Sequence, residues 1–301
     1  MTTPTAAGHT PTAGHTAPTA GHTPAGHTTT IGHAPAGRRA TPLWTGSSLL
    51  TQVTVLTGRL LRSLRDPRML VVSVIQPLIM LALFSQMFRT LADSPHFPQG
   101  VRYIDYLLPA ILVTSTAQAT VWAGVALADD LREGLVGRLR TMPVDLLALL
   151  AARSLYAAVR NGLQLVVLVL VGVALFGYRP AGGPLGAFAA LLVALIVSWG
   201  LSWVFLGLGA RVRNPELLQT IGMVVIFPLA FVSSAFVPLA GLPAAARAVA
   251  TANPLTQAVE AARGLSLGEP SAGWIAAVLL ASALLAVVGG AWASYEVRRV
   301  S

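Results

Sequence analysis

Four acids and three arginines crowd between Asp129 and Asp145, in a chain where only 10% of residues are charged. Side chains of these types do ion pairing. Leu131, Leu135 and Leu139 recur every four residues among Asp129, Asp130, Arg132, Glu133, Arg138 and Arg140. That spacing predicts a short helix with one apolar stripe and charged flanks. Met142-Pro143 ends it, because proline disfavours helix in the residue before it. Such a helix suits capture by a soluble partner: Arg138 and Arg140 would meet acids, and Leu135 and Leu139 would fill a groove. A solvated charged turn is the competing reading, and charge alone favours it.

Other polar side chains interrupt long apolar runs. Gln76 and Gln118 are isolated amides, suited to hydrogen bonds between helices or to lining a pathway. Arg160, Asn161 and Gln164 fall early in another run. Polar groups at membrane depth are candidates for lining a pathway, though Arg160 can also snorkel to the nearer interface and the two amides can pack between helices. Glu260 and Arg263 are spaced to pair on one helical face, for structure or for gating alike.

Several chemistries are excluded. There is no cysteine, so thiol catalysis and thiolate metal sites are absent. His96 is the only histidine beyond the first 42 residues, which argues against an embedded hydrolase. All 20 basic residues are arginine. A P-loop requires lysine on the β/γ-phosphates, so this chain holds none. No bound metal or cofactor is expected.

The elements that must position these residues are membrane helices. Of 301 residues, 54% are hydrophobic, and mean hydropathy is +0.70. A soluble domain carries about 25% charged residues. Six apolar runs, at about 69–88, 106–128, 150–178, 185–210, 217–238 and 271–295, are each long enough to span as helix. The net charge of +9 is then explained by arginines flanking spans, not by nucleic-acid binding. With both termini inside, fourteen arginines lie on the inner side and five on the outer. This puts 129–145 in the cytoplasm. The tryptophans lie mostly near span ends, where indoles anchor at the water interface.

Residues 1–42 repeat Ala-Gly-His-Thr four times, and read as a disordered tail. Within 43–68, Leu49, Val53, Leu56, Leu60 and Leu64 form a stripe opposite Arg59, Arg62 and Arg65, the pattern of an interfacial helix. Between the last two spans, Pro238, Pro243 and the pair Asn253-Pro254 divide a segment too apolar for a free loop and too short to cross. Short re-entrant or interfacial external helices are predicted there. The expected fold is an all-α membrane protein of six transmembrane helices with these added elements.

Three stretches resemble a known family: Arg62–Arg68, Leu131–Pro143, and Phe231–Pro243 leading to Asn253–Leu265. In family order, they are similar to type-2 ABC transporter permeases, especially the daunorubicin-resistance type. The resemblance spans about 43–299. The N-terminal repeat tail departs from it. The resemblance implies a six-span permease that pairs with a second permease. It also implies docking of a separate cytoplasmic ATPase through a coupling helix at Asp129–Pro143. ATP and magnesium would be bound by that partner. The expected function is export of a hydrophobic or amphipathic small molecule across the cell membrane. An ion-coupled secondary transporter is the alternative. It would need acids at mid-membrane, whereas all eleven here lie near span ends or in loops.

Overall fold

The computed structural model describes residues 48–62, 67–93, 95, 97–134 and 146–300. Among them, every regular element is a helix. In chain order these are α1 (Leu49–Leu61), α2 (Pro67–Met87), α3 (Tyr103–Arg132), α4 (Leu146–Phe176), α5 (Gly183–Val212), α6 (Pro215–Phe231), α7 (Ala244–Ala252), α8 (Pro254–Leu267) and α9 (Ala272–Val300). The repeat tail, Arg65 and 135–145 lie outside the described residues.

Side-chain caps set several starts. Ser48 accepts from the Thr51 amide, and Asn214 accepts from those of Glu216 and Leu217. Each cap satisfies a donor that the first turn leaves without a carbonyl. Among the described residues, four helices are long and apolar enough to cross a membrane: α3, α4, α5 and α9. The apolar parts of α2 and α6, Val71–Met87 and Pro215–Phe231, are shorter. The exterior is apolar, as at Ile79, Leu170 and Leu280, and suits hydrocarbon surroundings.

α3 is apolar all round and sits at the centre, touching α2, α4, α5, α6 and α8. Without a hydrophobic drive between helices in lipid, close backbone approach becomes the main attraction. Gly124 of α3 and Gly209 of α5 provide it. A methyl at Gly124 would collide with the Phe205 carbonyl, and one at Gly209 with the Gly124 carbonyl. α5 and α9 mesh in the same way. Gly207 lies under the ring of Trp292, and Gly290 under that of Trp203. These two indoles therefore pack against glycines of the facing helix.

The fifth apolar run departs most from its sequence expectation. Hydropathy continues to Pro238, but α6 stops at Phe231. Side chains take over the carbonyls that would have continued it. Ser233 Oγ donates to Ala230 O at 2.6 Å, and Asn253 Nδ2 donates to Leu229 O at 2.7 Å. Local serine bonds compete with helix, and hydropathy does not register them.

Candidate functional site

Three groups of polar residues stand out, one at each end of α3 and one along its length. At its C-terminal end, Asp129, Asp130 and Arg132 belong to the last turn of α3 itself, and Glu133 caps it. They do not start a separate helix. Leu135, Arg138, Leu139, Arg140 and Pro143 lie outside the described residues. Arg153 of α4 makes an ion pair with Asp130, joining the two helices that flank residues 133–145 in the chain. Arg211 of α5 faces the largely buried Glu296 of α9 at 3.9 Å. α1 packs on α4 with Thr57 buried and Val53, Leu56 and Leu60 half-buried, while Arg59 and Arg62 stay exposed. The predicted stripe thus rests on protein along part of its length.

Along α3, Gln76 Nε2 donates to Gln118 Oε1 at 3.1 Å, linking α2 to α3. The pair borders a small cleft with Thr114, Ser115, Phe231 and Phe236 among its other walls. Asn161 of α4 is buried and donates to Ser198 Oγ of α5 at 2.6 Å. Gln164 is buried one turn on, and Arg160 is half-buried. These three therefore do not share the cleft with Gln76 and Gln118.

At the N-terminal end of α3, the segment divided by Pro238, Pro243, Asn253 and Pro254 folds as a short 3₁₀ turn, Leu239–Gly241, followed by α7 and α8. Asn253 caps α8 by accepting from the Leu255 amide at 2.9 Å. Gly268 ends it in the left-handed region, at φ 82°, which favours glycine. α8 is packed against α3, α5 and α9. Glu260 and Arg263 pair at 2.6 Å, and Arg263 is only 4% exposed. Its guanidinium lies 3.5 Å from the ring centroid of Tyr106.

Sequence reasoning missed several residues here. Asp105 is buried, takes two hydrogen bonds from Arg102 and accepts from the Arg179 amide at 2.7 Å. Tyr178 and Ser266 hydroxyls meet at 2.6 Å, tying the α4–α5 connection to α8. The available signal was an acid in the first turn of a membrane-length run, where a helix N-terminus favours it. Tyr178 carried no such mark. Among the described residues, no cluster of three or more His, Cys, Asp or Glu is placed to hold a metal.

Long apolar helices with amides between them join these ends. Comparison with known proteins identifies the family. Residues 51–267 match the family described as ABC-2 type transporter. The chain is 34% identical over 223 residues to a daunorubicin resistance ABC transporter permease protein of Streptomyces coeruleorubidus, covering 74% of this chain and 77% of that protein. It is 27% identical over 225 residues to a putative transport permease of Porphyra purpurea, covering 74% and 76%. A probable doxorubicin resistance ABC transporter permease protein of Mycobacterium tuberculosis is 22% identical over 267 residues, covering 89% and 94%. The chain belongs to the ABC-2 type transporter family, as a multi-pass membrane permease of an ABC exporter.

Proposed function

We propose that this chain exports a hydrophobic or amphipathic small molecule, of the drug or antibiotic class, as one half of a permease dimer. A separate ATPase subunit binds ATP and magnesium and supplies the work. The family match over 51–267 carries this reading. Two independent features support it. These 301 residues have no lysine and hence no P-loop, which agrees with nucleotide chemistry carried outside them. The relatives from Streptomyces and Mycobacterium carry names of resistance to daunorubicin and doxorubicin, which are amphipathic aromatic drugs.

In this reading α2 and α6 join the four longer helices as spans, both termini lie in the cytoplasm, and Asp129–Pro143 docks the ATPase. Arg59, Arg62 and Arg65 hold α1 at the cytoplasmic surface beside that site. Gln76 and Gln118 border the cargo path, with Arg160, Asn161 and Gln164 as further candidates along it. α7 and α8 cap the exit, as external interfacial or re-entrant helices. Permeability to apolar cargo follows from walls that carry few charges.

The test is purification of this protein from native membranes, followed by assay of vanadate-sensitive ATP hydrolysis in the eluate. A co-purified P-loop protein with that activity is expected. A single band without hydrolysis, from membranes that contain the ATPase, overturns the reading in favour of ion coupling. Cargo class is read from daunorubicin accumulation in cells with and without the pair.

A further inference from the structure

Beyond Phe231 the chain takes an irregular path to Pro238, and Ser233, Ser234, Ala235 and Phe236 along it are buried. A helix end leaves its last carbonyls without helical donors, and irregular backbone leaves more. Here side chains from two other helices meet them. Arg263 Nη2 donates to Ser234 O at 2.9 Å and to Ala235 O at 3.4 Å. The Tyr103 hydroxyl donates to Phe236 O at 3.2 Å. Arg263 Nε donates to Tyr106 O of α3 at 3.3 Å, and its Nη1 pairs with Glu260.

One buried guanidinium thus binds α8, α3 and the irregular segment at once. A planar fork with five donors can do this, and a lysine ammonium cannot reach all these acceptors. The segment it holds is also a wall of the Gln76–Gln118 cleft, through Phe236. Phe236 stacks on Phe84 of α2, with ring centroids 4.3 Å apart.

The held arrangement is not fully satisfied. The Ser234 hydroxyl is completely buried, with no hydrogen-bond partner among the described residues. Movement of the segment towards water would give it one. Glu260 is less enclosed than Arg263, with side chains 21% and 4% exposed, so the pair separates most readily from the Glu260 side.

We propose that Arg263 is a positioning residue that latches residues 232–238 onto α3 and α8, and that its release opens one wall of the cleft. That opening serves cargo exit only if the transporter reading holds, but the latch can be tested without cargo.

The chain has no cysteine, so single cysteines report local opening without background. Ser234→Cys removes a hydroxyl that makes no hydrogen bond, and Ser154→Cys does the same on α4, at another buried site. Alkylation by a charged maleimide is followed on the full chain in lipid nanodiscs. With Arg263 in place, both cysteines react slowly. Arg263→Met speeds the Ser234→Cys reaction by at least about tenfold, because charged hydrogen bonds that hold one state are lost. Arg263→Lys falls between, and the Ser154→Cys rate is unchanged. No acceleration at position 234 overturns the latch. Equal acceleration at 154 also overturns it, since that is general loosening. Where Arg263→Met does not accumulate in membranes, Glu260→Gln decides: a smaller acceleration supports the latch and none refutes it. Failure of the transporter reading would appear as an ATPase-free pull-down with these rates unaltered.

Discussion

Arg153 of α4 is paired with Asp130 of α3, so the two helices that flank residues 133–145 in the chain are fastened together. Both side chains are mostly enclosed, at 12% and 21% exposure. Removing one partner of such a pair strands the other charge. Asp130→Arg or Arg153→Asp alone should cost about 2–4 kcal/mol, and the double exchange should recover at least half. Thermal unfolding followed by tryptophan fluorescence measures this. Costs that simply add would show that the pair is not coupled.

Arg138 and Arg140 make a different prediction. Arg138→Glu with Arg140→Glu should leave membrane insertion and thermal stability unchanged, and abolish recovery of the ATPase with the purified permease. Charge reversal at an interface introduces like-charge repulsion of several kcal/mol, enough to separate most complexes. Undiminished recovery would mean that the ATPase docks elsewhere.

Helix spacing can be tested at glycine. Gly124→Ala places a methyl against the Phe205 carbonyl, so α3 and α5 must part. A loss of about 1–3 kcal/mol is expected from such overpacking, seen as lower yield and earlier unfolding. Gly58→Ala on α1 meets nothing within 4 Å. It should gain about 0.5–1 kcal/mol of helix stability, since glycine is the poorer helix former. Similar losses at both sites would refute the close α3–α5 crossing.

The Gln76–Gln118 bond separates structure from transport. Interhelical bonds of this kind contribute about 0.6 kcal/mol on average, so Gln76→Leu, Gln118→Leu and the double substitution should all fold with small, non-additive losses. If the amides border the cargo path, efflux from whole cells should fall by much more than stability does. Full efflux in the double variant would assign the pair to packing alone.

Parts of this arrangement were legible in the chain. Asn253-Pro254 marks a cap and a first helical residue, and α8 begins there. The Glu260–Arg263 spacing is that of a helical pair, and the two do pair. Gln76 and Gln118, lone amides in apolar runs, found each other. What escaped was burial. Arg263 reads as an external surface charge, yet it is enclosed by carbonyls and one aromatic ring. Trp203 and Trp292 also fill spaces that glycines leave on the facing helix, which their place near span ends did not reveal.

The sequence by itself determined that this is a helical membrane protein and that its 301 residues hold no P-loop. Apolar runs of spanning length leave the backbone no partner in lipid but itself, and the missing lysine removes the P-loop. Only the tertiary structure decided where α6 ends and what Arg263 holds. Tyr106 and Arg263 are separated by 157 positions, and their hydrogen bond forms because α3 and α8 stack side by side. Hydropathy reports how much a residue avoids water. It carries no record of which distant carbonyl will accept its proton.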